Sequence, residues 1–133
     1  MPFTKVLQVQ TGTEGAYNIT HEVRAAVSES GIEDGIALIY CPHTTAGITM
    51  TENTDPNVIS DMLCGLSKSL PDRAEYKHSE GNSFAHIKSS IVGSQIFVFV
   101  DSGWPVLGPW QGIFFMEFDG PRERRYHVKV IEC

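Results

Sequence analysis

Apolar and polar residues alternate in several short stretches of the chain, which is the pattern of strands that bury one face. Stretches of this kind are Phe3–Gln10, a short segment near Tyr17, Gly47–Thr51 and Tyr126–Val130. Two continuous apolar runs, Ile36–Cys41 and Ile96–Val100, predict strands that are buried on both faces. A further strand, Ile113–Phe118, is apolar on both faces apart from Glu117.

Helical spacing is strongest after Asp55, which precedes Pro56 as an N-cap residue precedes a first-turn proline. The apolar residues that follow share one helix face: Ile59, Met62, Leu63, Leu66 and Leu70. Pro71 then ends the run, because proline cannot continue a helix. The segment therefore predicts an amphipathic helix between Pro56 and Leu70.

Two shorter helices are predicted elsewhere. Thr20 is placed to cap a helix over His21–Ser30, and Gly31 is placed to end it. Ser83–Val92 predicts a third, weaker helix. Because helices and strands do not alternate regularly, the pattern disfavours a doubly wound parallel sheet. We expect an α+β fold, a mostly antiparallel β-sandwich with two or three helices.

Size and charge narrow the possible functions. The 133 residues have the size of one domain, spanning 1–133. Ten Lys and Arg against sixteen Asp and Glu give a net charge of −6, which argues against a nucleic-acid partner. The longest apolar stretch, Ile91–Val100, is interrupted and falls short of the ~20 residues of a membrane span. The N-terminus has no apolar run typical of a secretory signal, so we expect a cytoplasmic protein with no membrane partner.

The loop after the Ile36–Cys41 run holds a histidine and two hydroxyls, His43, Thr44 and Thr45. His43 could act as a general base or a metal ligand, and the hydroxyls could bind a phosphate or carboxylate. Alternatively, all three only satisfy backbone groups in a turn. Three cysteines at no disulfide or zinc spacing predict free thiols, and Cys41 alone is a functional candidate because of its neighbour His43.

His78 and His86 lie eight positions apart across a polar loop, a spacing that no short zinc motif has. If both converged with His43, they would form an open metal site with water in the remaining position. Otherwise each is a hydrogen-bonding or surface residue. His21 and His127 are expected to face solvent.

Glu117 lies on the strand face shared by Ile113 and Phe115, where an unpaired carboxylate would be costly. Either that face is exposed to water, or Glu117 pairs with an arginine, a histidine or a metal. Arg122 and Arg124 follow the next turn and could bind an anion through bidentate hydrogen bonds, or be solvated.

Seven blocks of the sequence together resemble the YjbQ-like family, which is also called the secondary thiamine-phosphate synthase family. The blocks are His43–Ala46, Glu52 with Asp55–Pro56 and Asp61, Tyr76–His78, Asn82, Ala85–Ile87, Gly108–Gln111 and Glu117–Arg124. They occur in this order over about the whole chain. The resemblance implies a compact sandwich subunit, assembled as a homotrimer, with its site near the subunit boundary.

The resemblance places the site at His43, His78 and His86, where a metal or an anion would bind, and the chemistry of the surrounding side chains adds the other candidates. His43, His86 and Glu117 would be catalytic, and His43, His78 and His86 would bind a divalent metal, zinc or magnesium. An anionic metabolite would be bound by Thr44, Thr45, Asn82, Trp110, Arg122 and Arg124. The implied reaction joins a pyrimidine methyl diphosphate to a thiazole phosphate and releases pyrophosphate. A metal-dependent hydrolase and a non-catalytic binder of an anionic metabolite are the alternatives.

These expectations combine into one geometric prediction. His43, His78 and His86 share a pocket that opens at a subunit interface, with Asn82 and Ser83 capping the helix that carries His86. The second apolar face of the Ile113–Phe118 strand, formed by Phe114, Met116 and Phe118, is covered by trimerisation.

Overall fold

A computed structural model describes residues 2–133, which form eight strands and three helices. The strands are β1 (Phe3–Gln10), β2 (Gly15–Asn18), β3 (Gly35–Tyr40), β4 (Ala46–Glu52), β5 (Gln95–Asp101), β6 (Trp104–Pro105), β7 (Gln111–Glu117) and β8 (Glu123–Glu132). The helices are α1 (Thr20–Ser30), α2 (Pro56–Ser69) and α3 (Ser83–Val92). Every element except the short β6 lies where the residue pattern predicts one. None of the three helices is long and apolar enough to cross a membrane.

The strands form two sheets in which all neighbouring strands are antiparallel. One sheet has five strands in the order β1-β8-β3-β5-β6, and the other has three in the order β2-β7-β4. Both sheets contribute to the main core, which includes Ile39 and Val128 from the first and Ile48 and Phe115 from the second. Helix α1 adds its buried Val23 to this core. The α+β class, with mostly antiparallel sheets and three helices, is confirmed.

A second apolar cluster covers the other side of β7. We call Phe114, Met116 and Phe118 the covered face; each is at most 5% exposed within the single chain. The apolar side chains that pack on it come mainly from α2 and α3: Ile59, Leu63, Leu66, Phe84, Ala85 and Val92. The expectation that trimerisation covers this face is therefore wrong, because the chain's own helices already do so.

The outer face of the five-stranded sheet has no such cover within residues 2–133. Phe97 and Phe99 of β5 are 56% and 63% exposed, so the expectation that Ile96–Val100 is buried on both faces is wrong for the single chain. Cross-strand pairing places Ile36 between Phe99 and Ile131 in one row. We call the apolar residues of this surface the open sheet face: Ile36, Leu38, Tyr40, Phe97, Phe99 and Ile131.

Local signals explain how the helices begin and end. The side chain of Asp55 accepts a hydrogen bond from a first-turn amide of α2, as predicted. Gly31 has φ 69°, the left-handed conformation that ends α1. Thr20 does not cap α1 as expected, because its hydroxyl accepts a hydrogen bond from the Ile113 amide and donates to Asn18 Oδ1. The bond from the Ile113 amide ties the start of α1 to β7.

Candidate functional site

His43 is held at the end of the five-stranded sheet. Its Nε2 accepts a hydrogen bond of 3.0 Å from the backbone amide of Arg125 in β8. A neutral imidazole has one acceptor nitrogen and one N–H, so the hydrogen of His43 lies on Nδ1. The ring also packs edge-on against Phe115, with centroids 6.5 Å apart.

Burial lowers the pKa of His43 below its ordinary value, and the nearby positive charge of Arg124 lowers it further. The ring is therefore neutral at neutral pH and presents an N–H donor to a ligand. While the Arg125 amide occupies Nε2, a role of His43 as a general base or metal ligand would fall to Nδ1.

Helix α3 presents His86 and is fixed to β4. The Ser89 hydroxyl donates to the Ala46 carbonyl at 2.6 Å, and a β4 amide donates to the Gly93 carbonyl at 3.0 Å. A Cβ on Gly47 would lie 2.6 Å from that same carbonyl oxygen, so only glycine allows this approach. The position of His86 therefore depends on the tight contact between α3 and β4.

Asn82 precedes α3 but does not cap it with its side chain, contrary to expectation. Its Nδ2 instead donates to Asp119 Oδ2 at 2.8 Å, while its backbone carbonyl accepts the amide of Ala85. Asn82 Oδ1 is buried and has no hydrogen-bond partner among the described residues. The side chain thus ties the start of α3 to the turn after β7.

The carboxylate of Glu117 is fully buried and pairs with Arg124, one of the partners that sequence considerations left open. Arg124 Nε and Nη2 donate to its two oxygens at 2.7 and 2.6 Å, and Nη2 also donates to the Thr45 hydroxyl. Burial by itself would raise the pKa of Glu117, but hydrogen bonds from Arg124, the Thr11 hydroxyl and the Asp119 amide outweigh it and lower the pKa. The pair forms the rigid wall behind the His43 loop.

Two adjoining cavities, of about 320 and 530 Å³, both border His43, Thr44 and His86. We call the smaller one the His43 cavity. Its other polar lining residues are Thr45, Glu80, Asn82, Arg122 and Arg124. Arg122 is half exposed and pairs with Asp119, whereas Arg124 is held in place by Glu117. Seven of the residues expected from the sequence therefore meet in one cavity.

His78 is placed differently from the prediction. Its ring lies 5.5 Å from that of His86, which lines both the His43 cavity and a neighbouring one. His78 lines the neighbouring cavity, together with Tyr76, and not the His43 cavity. Among residues 2–133, no three histidine, cysteine or carboxylate side chains converge as a metal-binding group. The prediction that all three histidines share one pocket is therefore wrong within a single chain.

Two other candidates lie apart from the cavity. Trp110 is 62% exposed in the turn before β7 and does not line the His43 cavity. Burial raises the pKa of the Cys41 thiol, so Cys41 is protonated at neutral pH and unreactive. His21 is exposed as expected, and His127 is half-buried against Tyr40.

Sequence reasoning missed Thr11 and Glu80, and it named Asp119 only as part of the Glu117–Arg124 block. The Thr11 hydroxyl donates to Glu117 and accepts from the Arg122 amide, contacts that span more than a hundred residues of sequence. No local pattern could reveal such contacts. Glu80 lies between two residues of the resemblance, His78 and Asn82, and that position was its only signal.

The chain is similar to several proteins over almost its whole length. A family model described as UPF0047 protein YjbQ-like matches residues 5–133. A UPF0047 protein of Methanocaldococcus jannaschii is 52% identical over 93% of this chain and 91% of its own, and YugU of Bacillus subtilis is 50% identical over 96% and 98%.

Solved structures agree with this similarity. A YjbQ/UPF0047 protein of Clostridium acetobutylicum is 49% identical with a TM-score of 0.93, covering 96% of this chain and 99% of that one. A Sulfolobus solfataricus protein of unknown function is 31% identical with a TM-score of 0.95, covering 100% and 99%. The names of these four proteins state no activity.

Proposed function

The chain belongs to the UPF0047 YjbQ-like family, and from this premise we propose that it is a transferase of the thiamine-phosphate synthase type, acting in the His43 cavity. In this reaction the thiazole nitrogen attacks the methylene carbon of the pyrimidine methyl diphosphate. The C–N bond forms, the C–O bond to the diphosphate breaks, and pyrophosphate leaves with the bonding electron pair. The main catalytic requirement is to stabilise this leaving anion.

One observation carries the proposal: the cavity is rich in hydrogen-bond donors. His43 offers its Nδ1–H, Thr44 its hydroxyl, and Arg122 and Arg124 line the same wall. Donors of this kind stabilise a departing diphosphate, and the transfer needs no proton abstraction by the protein. A hydrolase would instead need a water activated by a base or metal, and Nε2 of His43 is already occupied.

Among residues 2–133, Glu80 is the one carboxylate that lines the His43 cavity. A carboxylate beside a diphosphate is favourable when Mg²⁺ lies between them, since Mg²⁺ in proteins is held by one or two carboxylates and substrate phosphates. Glu80 would supply that ligand, and the ion would neutralise charge on the leaving group. Zinc held by His43, His78 and His86 does not fit, because the His43 Nε2 is engaged and His78 borders another cavity.

The test is a direct assay with both substrates and Mg²⁺, following pyrophosphate release. Replacing His43 or His86 by Ala is expected to lower the rate at least about tenfold, since each loses a hydrogen bond to charged phosphate. His21→Ala, on exposed α1, is the matched control and should keep the wild-type rate. Turnover that persists in both cavity variants refutes the assignment. Tight pyrophosphate binding without turnover would identify a non-catalytic binder.

We further propose that the homotrimer implied by the resemblance assembles through the open sheet face. Phe97 and Phe99 leave more than half of their surface in water, and burying such aromatic area is the main favourable term in subunit association. In a ring of three subunits, each gives this face to one neighbour and a different surface to the other.

The open sheet face reaches the candidate site. Tyr40 contacts the ring of His127 with centroids 5.7 Å apart, and the next outward residue along β8 is Arg125, whose amide holds His43. A subunit seated on this face would therefore border the His43 cavity. This supports a site at a subunit boundary.

Sedimentation tests the assembly. The wild type should sediment at three times its 14.7 kDa subunit mass, and Phe97→Glu should sediment as a folded monomer. Trp110→Glu, at an equally exposed aromatic outside the face, should remain a trimer. A monomeric wild type would overturn the trimer, and a trimeric Phe97→Glu would overturn the choice of face.

A further inference from the structure

A separate cavity, of about 370 Å³, lies between α1 and the hairpin formed by β5 and β6. It is lined by His21, Arg24, Ala25, Ser28, Gly103 and Trp104, so it shares no residue with the His43 cavity. Its volume lies within the ~300–1,000 Å³ typical of small-molecule sites.

The helical wall of this cavity is cationic. His21, Arg24, Ala25 and Ser28 occupy positions i, i+3, i+4 and i+7 of α1, so they share one side of the helix, and that side is exposed. Within residues 2–133, the side chains of His21 and Arg24 make no hydrogen bond or ion pair with the rest of the protein, and no carboxylate lines the cavity. In a chain of net charge −6, a guanidinium that is not paired within residues 2–133 is well placed to bind an anionic ligand.

The hairpin wall is aromatic. Trp104 directly follows a two-residue turn, Ser102–Gly103, in which both residues have positive φ, 53° and 80°. The Gly103 amide donates to the Glu33 carbonyl at 3.0 Å and ties the turn to the body of the protein. The indole of Trp104 is nevertheless 63% exposed, on an anchored hairpin, beside the Arg24 wall.

We propose that this cavity binds a small molecule that carries both a planar aromatic ring and an anionic group, phosphate or carboxylate. The ring stacks on the indole of Trp104, an arrangement that indole favours with other aromatic systems. The small side chain of Ala25 leaves space beside the indole. The anionic group accepts a bidentate hydrogen bond from the Arg24 guanidinium, with His21 and Ser28 as further donors. The site is independent of the transferase proposed above.

Tryptophan fluorescence tests the proposal, because Trp104 and Trp110 are the two tryptophans of the chain. The probe is adenosine 5′-monophosphate, titrated into assembled Trp110→Phe protein, in which Trp104 is the single reporter. We expect saturable quenching. In the matched Trp104→Phe protein, which keeps Trp110, the same titration should give none. Quenching of Trp110 alone, or no quenching of Trp104, would overturn the site.

Two comparisons test the ligand class. Arg24→Gln should weaken binding at least about tenfold, because it removes a charge-assisted hydrogen bond to the anion. Neutral adenosine should bind as weakly to the wild type as the monophosphate does to Arg24→Gln. Benzoate, titrated in parallel, distinguishes a carboxylate from a phosphate preference. Equal affinity for adenosine and its monophosphate would refute the role of Arg24, and inorganic phosphate competing as well as the monophosphate would refute the role of Trp104.

Discussion

The covered face of β7 and the open sheet face are both apolar, yet the fold treats them differently. Phe114 and Met116 are buried beneath α2 and α3, whereas Phe97 and Phe99 lie mostly in water. The difference follows from connectivity. Helices α2 and α3 follow β4 of the three-stranded sheet in the chain, and α3 packs back against that same strand.

The contrast separates two uses of apolar surface. The covered face stabilises the subunit itself, and the open sheet face is the surface through which we propose that subunits associate. Apolar composition alone does not distinguish them. Four changes test this division, from the largest expected loss of subunit stability to the smallest.

Met116→Glu is expected to unfold the subunit. It places a carboxylate in a fully buried apolar site, at a cost of several kcal/mol against a total stability of roughly 5–15 kcal/mol. Circular dichroism and urea unfolding measure the loss. Met116→Leu keeps the volume and should lose less than about 1.5 kcal/mol. A folded Met116→Glu that only fails to assemble would show that other subunits cover this face after all.

Gly47→Ala is expected to destabilise the subunit by about 1–3 kcal/mol, because the added methyl group crowds a buried contact. The new Cβ would lie 2.6 Å from the Gly93 carbonyl oxygen and 3.1 Å from a Val92 methyl, so it pushes α3 away from β4. Gly65→Ala in α2 is the control; it meets nothing within 4 Å and should stabilise the helix by roughly 0.5–1 kcal/mol. Equal urea midpoints for the two variants would show that the covered face tolerates displacement of α3.

Lowering the pH is expected to reduce the free energy of unfolding by a smaller amount, through His43 at the end of the five-stranded sheet. The pKa of His43 is lower in the folded chain than its ordinary value of 6.5, so the unfolded chain binds the proton more readily. The contribution of neutral His43 to the free energy of unfolding is complete above pH 6.5, and it is lost as the pH falls through the pKa of His43 in the folded chain. Protonation also removes the acceptor for the Arg125 amide, whose hydrogen exchange should speed up relative to neighbouring β8 amides.

His43→Gln separates this effect from general acid destabilisation. The difference in urea midpoint between wild type and His43→Gln should shrink between pH 8 and pH 5.5. Gly65→Ala changes no titratable group, so its difference in urea midpoint should not depend on pH in this way. A constant difference for His43→Gln would contradict the lowered pKa.

Phe99→Ser is expected to leave the unfolding free energy of the subunit within about 0.5 kcal/mol, as for most surface substitutions. Its effect is on assembly. The Tm of the wild type should rise with protein concentration by mass action, and that dependence should weaken in Phe99→Ser. A Tm of the wild type that is independent of concentration would remove the distinction between the two faces.

The elements were predictable because their signals are local. Asp55 with Pro56, and Gly31 after α1, each act on a neighbouring turn, so their effect is visible in a few residues of sequence. It was not predictable that α2 and α3 bury the covered face, since this depends on which sheet α3 packs against. That docking rests on the contact between Gly47 and Gly93, which are far apart in sequence.

The candidate site was predictable as a set of residues and not as a geometry. The resemblance named His43, Asn82 and His86, which do line one cavity. Sequence left open which of several partners Glu117 meets, because the choice of Arg124 depends on how two strands of different sheets face each other. The hydrogen bond to the His43 Nε2, which changes its chemistry, comes from a backbone amide and leaves no trace in side-chain patterns.

The pairing of β1 with β8 has a consequence for how the chain is made. Phe3 pairs with Val130 and Gln10 with Glu123, and β7 is the central strand of the other sheet. Synthesis of the roughly 110 residues between β1 and β8 takes about 6–20 s at typical ribosomal rates. Until β7 and β8 are made, each sheet lacks the strand that lies between two of its members. The apolar side chains of β1 therefore stay without their partner strand in the nascent polypeptide, whereas β3 and β5 can pair earlier.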